Sequence, residues 1–214
     1  MFITFEGPEG GGKSTQVALL AEALREAGRE VVTTREPGGV AVAEQLRELV
    51  LHAELFPETE ALLFLAARAE HARAVIRPGL ERGAVVLCDR FNDSTLAYQG
   101  YGLGLDVEQL RQLCRFAAAG LQPDLTLLLD LPVETGLGRR LGAQLSLEIE
   151  SAAGDQLANQ MDRRALEFHQ RVRDGFLAEL ERDPGRIVRV DATRPIKQVQ
   201  ASILREVKKR LPAL

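Results

Sequence analysis

The chain is poor in lysine, tryptophan and cysteine, and each shortage narrows what it can be. Of its 27 basic side chains only Lys13, Lys197, Lys208 and Lys209 are lysines; arginine supplies the rest. With 31 acidic residues the formal net charge is −4, which disfavours a nucleic-acid partner, because nucleic-acid-binding surfaces are basic. The two cysteines, Cys88 and Cys114, make neither a metal-ligand spacing nor a disulfide framework. No apolar run reaches membrane-spanning length, and no cationic segment followed by an apolar one opens the chain. A soluble, cytoplasmic protein with no membrane attachment is therefore expected. Aromatic residues make up only 5%, so the core must be aliphatic, and 45% apolar content over 214 residues is enough for one such core. A single domain over residues 1–214 follows as the expectation.

Four short apolar runs read as buried strands: 2-FITFE-6, 84-AVVLCD-89, 125-LTLLLDL-131 and 187-IVRVD-191. A fifth, 30-EVVTT-34, fits after the first helix has crossed back over the sheet. Segments of helical period separate them, notably 16-QVALLAEALREAG-28, 41-AVAEQLRELVL-51 and 58-ETEALLFLAARAEHARAVI-76. Strands alternating with helices predict an α/β fold, a five-stranded parallel sheet with helices on both faces. Residues 136–162 differ, with breaks around Gly142 and Ala152–Gly154, and read as a mobile flap or as an ordinary surface helix-turn-helix.

The sharpest signal is 7-GPEGGGKST-15, directly after the first strand. Gly7-Pro8-Glu9-Gly10-Gly11-Gly12-Lys13-Ser14 fits G-x-x-x-x-G-K-[ST], in which glycines let backbone N–H groups turn toward a phosphate. The helix that follows points its positive end at the same place. Lys13 can reach β- and γ-phosphate oxygens, and Ser14 can ligate Mg²⁺. An ATP or GTP site in a P-loop NTPase three-layer sandwich is the expectation.

Ligands of parallel sheets lie outside the carboxyl ends of the strands. After the second strand comes 33-TTREPGG-39, which puts Arg35 and Glu36 at the mouth of a tight turn. After the third comes 89-DRFNDSTLAYQGYG-102: Asp89 can place a metal or its water, Arg90 can clamp a second anion, and the polar and aromatic run behind suits a base and sugar. Phe64 and Arg68, four apart, share one helix face where a ring and a guanidinium could meet a planar base. Periodicity alone favours the core for Phe64.

Those motifs together resemble thymidylate kinase, from 2-FITFEG-7 to about Val190, with 191-DATRP-195 resembling the family's adenine-side loop. The DRF…S-x-x-AYQG run separates this family from other nucleotide kinases. The resemblance implies ATP-dependent phosphorylation of dTMP to dTDP, on the route to dTTP, with Mg²⁺ as cofactor and a homodimer. ATP would be held by Gly7, Glu9, Gly10, Gly11, Gly12, Lys13, Ser14, Thr15 and Thr193. Glu9 would also face the sugar 3′-hydroxyl. Arg35 and Arg90 would hold the dTMP phosphate, Phe64 would stack on thymine, and Arg68, Thr95 and Gln99 would contact the base. Tyr98 would crowd the 2′ position, and Ser14 and Asp89 would serve the metal.

The resemblance also exposes a departure. Members with glycine rather than arginine in the phosphate loop draw a charge-neutralising arginine from the flap, in an Arg-x-[Asp/Glu] signature. An ungapped match puts Gln160 at that arginine and Asp162 at the acid, with glutamine also at 144 and 156. Compensation by Arg139 or Arg163 is expected, which makes them, with Lys13 and Arg90, the catalytic candidates; Arg140 and Arg164 lie nearby. Two other readings stay open: a kinase of another nucleoside monophosphate, and a nucleotide-binding module with weakened transfer.

Overall fold

A computed structural model describes the backbone of residues 1–145 and 157–211, and side chains within these except those of residues 142–145 and 157–165. In chain order the elements are β1 (Phe2–Glu6), α1 (Lys13–Glu26), β2 (Val31–Arg35), α2 (Ala41–His52), α3 (Pro57–His71), α4 (Arg77–Glu81) and β3 (Val85–Asp89). They continue as α5 (Asn92–Thr95), α6 (Val107–Ala117), β4 (Leu125–Asp130), α7 (Val133–Leu145), α8 (Leu157–Arg182), β5 (Ile187–Asp191) and α9 (Ile196–Arg210). The strands form one parallel sheet in the order β2-β3-β1-β4-β5.

Strand periodicity sorts the core into two layers. Ile3 and Phe5 of β1, with Leu87, Leu127 and Val190, face α1 and α9, where Leu20, Leu24, Ile203 and Val207 meet them. Phe2, Val86, Cys88 and Leu128 point the other way, toward Ile76, Phe91 and the Val172–Phe176 face of α8. Burial of β1, β3 and β4 on both faces explains their continuous apolar runs, whereas the edge strands β2 and β5 are partly exposed. Among the described residues, no helix is long and apolar enough to cross a membrane.

The helix expected over 58–76 runs as α3 only to His71; Ala72–Ile76 is a wider, π-type turn leading into α4. Pro78 accounts for this, since it has no N–H to offer and its ring crowds the carbonyl four residues back. The break expected around Gly142 is not seen, because α7 continues to Leu145. The far end of the expected flap is likewise helical from Leu157, the start of α8, while 146–156, including Gln156 and the Ala152–Gly154 break, lie outside the described residues.

Candidate active site

Because β1 is central and the chain passes from β3 on one side to β4 on the other, the crevice opens at the carboxyl ends of β1 and β3. The loop after β1 is shaped by close backbone approaches. Gly7 has φ 133°, and a Cβ there would collide with the Leu129 carbonyl. At Gly10, φ 70°, a Cβ would run into the backbone of Gly136 in the first turns of α7. Only glycine tolerates this combination, and the second contact seats α7 directly on the loop.

Lys13 opens α1 and curls back so that Nζ donates to the carbonyls of Gly7 (3.0 Å) and Pro8 (2.9 Å). Burial, with Arg90 nearby, lowers its pKa to about 7 despite the opposing pull of Asp89, Glu9 and Glu6. Ser14 Oγ donates to Asp89 Oδ2 at 2.6 Å, so the two expected metal residues meet. A hydroxyl and a carboxylate are the hard oxygen donors that suit Mg²⁺. Among the described residues no cluster of three or more His, Cys, Asp or Glu forms a metal cage.

Arg90 follows β3 in the left-handed region, φ 70°, held by its own N–H to the Phe5 carbonyl (3.0 Å). A non-glycine residue there costs roughly 1–2 kcal/mol. Nη2 donates to Glu9 Oε1 (3.0 Å) and to Tyr98 Oη (3.2 Å), Nη1 to Ser94 Oγ (3.2 Å), and the guanidinium lies 4.8 Å from the Tyr98 ring centroid. Burial pushes the Tyr98 hydroxyl up to about 12, so it stays protonated beside the cation. Beneath lies Glu6, whose carboxyl takes the Phe91 N–H (2.7 Å) and the Ser94 hydroxyl.

Two adjoining clefts share Glu9, Glu36, Arg47 and Arg90. One, about 420 Å³, is lined by the loop from Glu9 to Thr15, with Arg35 and Asp89. The other, about 260 Å³, is lined by Glu60, Phe64, Arg68, Thr95, Tyr98 and Gln99 among others. Phe64 is thus a cleft residue, contrary to the core assignment its period favours. Arg68 is 2% exposed: Nε donates to Glu36 Oε2 (2.7 Å), Nη2 to the Phe91 carbonyl (3.0 Å) and Nη1 to Cys114 Sγ (3.5 Å). The other Glu36 oxygen meets His71 Nδ1 at 2.8 Å, so 33-TTREPGG-39 and the end of α3 form one buried unit.

Arginines depart most from expectation. Arg35 is held by Glu44 of α2 (3.0 and 3.1 Å) on the loop side and does not line the second cleft. Arg47, which sequence reading passed over, lines both clefts and donates to the Pro37 carbonyl at 3.1 Å. Arg47 is the one arginine of α2 and nothing local marks it; only the position of α2 after the 36–39 turn brings it in. Arg139, by contrast, lines neither cleft: its Nη1 donates to the Ala192 carbonyl (2.8 Å), and it reaches the carbonyls of Gly10 and Thr193 (both 3.4 Å). It ties the phosphate loop to the loop after β5, where Thr193 is bonded to Asp191. Its neighbour Arg140 projects to Glu9 Oε2 at 3.8 Å. Glu9 is only partly buried, and although that burial works against its charge, Arg90, Lys13 and Arg140 together hold its pKa below the usual value. The side chains of Gln144, Gln160, Asp162, Arg163 and Arg164 lie outside those described.

A phosphate loop at the end of a central parallel strand, with a second arginine-lined cleft against it, defines a P-loop phosphotransferase. Comparison with known proteins narrows the class. The sequence profile described as thymidylate kinase matches residues 5–203. A thymidylate kinase from Thermomicrobium roseum is 54% identical over 98% of this chain and 96% of its own length. One from Synechococcus sp. strain JA-3-3Ab is also 54% identical, over 100% and 98%. The crystal structure of a thymidylate kinase from Ehrlichia chaffeensis superposes with TM-score 0.77 at 36% identity, covering 97% of this chain and 98% of that one. The chain belongs to the thymidylate kinase family.

Proposed function

We propose that the chain transfers the γ-phosphoryl group of ATP to the phosphate of dTMP, giving dTDP. The observation that carries this is the junction of the two clefts, where Arg47 and Arg90 stand opposite the phosphate loop. ATP occupies the loop cleft, with the adenine toward the Ala192–Thr193 carbonyls that Arg139 fixes. dTMP occupies the second cleft, its base against Phe64, its edge toward Arg68, Thr95 and Gln99, and its phosphate between Arg90 and Arg47. Arg47 replaces Arg35 in the second phosphate-binding role. Tyr98 and Glu9 border the sugar.

Catalysis is then alignment and charge stabilisation. The acceptor phosphate is already ionised, so no general base is required. Ser14 and Asp89 would hold Mg²⁺, which when bound neutralises charge on the ATP phosphates. With glycine in the phosphate loop and glutamine at position 160, Arg140 is, among the described residues, the flap-side cation best placed to supply charge, because it reaches Glu9 at the junction.

A homodimer accords with an apolar surface on α3 and α6. These helices pack through Ala61, Leu65, Leu110, Cys114 and Ala117, leaving Leu62 (58% exposed) and Phe116 (81% exposed) outward. A cytoplasmic location accords with ATP and dTMP as substrates.

A coupled ADP-release assay with ATP·Mg²⁺ against dTMP, dUMP, dCMP, dGMP and UMP tests the reading. Selective turnover of dTMP is expected. Preference for another monophosphate, or nucleotide binding with transfer to none, would overturn it.

A further inference from the structure

Gln99 sits 5% exposed in the wall of the second cleft, and its Nε2 donates to Glu60 Oε1 at 2.7 Å. Glu60 lies in the first turn of α3, one turn before Phe64. Side-chain amides can turn over and exchange donor for acceptor. A carboxylate accepts and does not donate, so this contact fixes Nε2 toward α3 and leaves Oε1 as the group Gln99 offers the cleft. Arg68 supplies the complement. Three of its five N–H groups are engaged, by Glu36, Phe91 and Cys114, and one on each terminal nitrogen is left over.

We propose that Glu60 is a specificity-determining positioning residue: by fixing the Gln99 amide, it makes the wall read donor from Arg68 and acceptor from Gln99. That order matches a 4-oxo pyrimidine, whose O4 accepts and whose N3–H donates. A 4-amino pyrimidine presents the reverse, an amino donor facing Arg68 and a bare N3 lone pair facing Oε1. Buried groups left unpaired by the wrong ring are what make such a site selective. The inference rests on the second cleft holding the pyrimidine of the acceptor.

The test compares kcat/KM for dTMP and dCMP in the wild type, Glu60→Ala and Glu60→Lys. Glu60→Ala frees the amide to turn and should cut the dTMP:dCMP ratio about 10- to 100-fold, the worth of one charge-assisted hydrogen bond. KM for ATP should hold within about twofold. Glu60→Lys offers a donor to Oε1, presents Nε2 to the base and should lower the ratio further than alanine does. A purely structural loss would reduce both substrates together, and an unchanged ratio in two folded variants would overturn the inference. Failure of the wild type to phosphorylate dTMP would instead overturn the functional proposal itself.

Discussion

Ser14 and Asp89, 75 residues apart, share a 2.6 Å hydrogen bond that joins the helix after β1 to the end of β3. The contact brings one hydroxyl and one carboxylate to the edge of the phosphate cleft. EDTA should abolish turnover, and Mg²⁺ should restore it. Asp89→Asn should raise the Mg²⁺ needed for half-maximal rate about 10- to 100-fold, the usual cost of losing a metal-orienting partner. Ser14→Ala combined with it should add little, since the two act as a unit. A Mg²⁺ titration that is unmoved in Asp89→Asn would count against the assignment.

Adjacent arginines on α7 should behave differently. Arg139 is spent on the carbonyls of Ala192, Gly10 and Thr193, so Arg139→Ala should raise KM for ATP with kcat nearly intact. Arg140→Ala should lower kcat roughly 10²-fold or more, as for other single transition-state donors, with KM for dTMP little changed. Adding Gln160→Arg to Arg140→Ala should restore part of the loss. Steady-state kinetics showing the kcat defect in the Arg139 variant alone would reverse these roles.

ATP binding should be linked to protons through Lys13. In the free protein its pKa is lowered to about 7, first by burial and then by Arg90. Phosphate oxygens favour its charged form and raise the value on binding. Below about pH 6 Lys13 is already charged and no proton is exchanged; at pH 8 binding takes up nearly one. ATP affinity should therefore fall as pH rises above 7. Calorimetry at pH 8 in two buffers of unlike ionisation enthalpy measures the uptake, and equal heats would exclude it.

Stability should carry the mark of Glu6. Burial, then Asp93, raises its pKa from 4.5 to about 7, against the opposing effects of Ser94, Arg90 and the Phe91 N–H. A group raised on folding contributes stability fully below its unfolded pKa and loses it as pH climbs through the folded one. This contribution, on the order of 3 kcal/mol, should fade between about pH 4.5 and 7. Glu6→Gln keeps an acceptor for Phe91 N–H and should flatten that part of the Tm–pH curve. Melting curves with the wild-type slope would show that the pH dependence arises elsewhere.

The outward pair Leu62 and Phe116 should control association. Leu62→Asp with Phe116→Asp is expected to convert a dimer to a monomer in sedimentation velocity. A wild-type monomer at micromolar concentration, or a variant that still dimerises, would remove that face from consideration.

The five strands and the phosphate loop are legible in the sequence because each rests on local rules. A strand buried on both faces must be apolar along its buried length, as 84-AVVLC-88 is, and a loop that approaches a phosphate must be glycine. Gly7 and Gly10 satisfy that requirement against Leu129 and Gly136 as well, contacts invisible in the chain itself. The wide turn at Ala72–Ile76 was harder to foresee, since only Pro78, just beyond it, hints at the change of pitch.

The direction of the arginine side chains was decided by tertiary structure. An arginine can reach any anion within several ångströms, so sequence position says little about which one it takes. Glu44 claims Arg35, the Ala192 carbonyl claims Arg139, and Arg47 and Arg140 are left at the junction. The orientation of Gln99 is settled in the same way, by a carboxylate 39 residues away. Sequence determined the sheet, the phosphate loop and the motif-bearing strand ends, because backbone geometry and burial dictate residue type there. Only the fold decided which charges and dipoles face the clefts, because long polar side chains are oriented by partners distant in the chain.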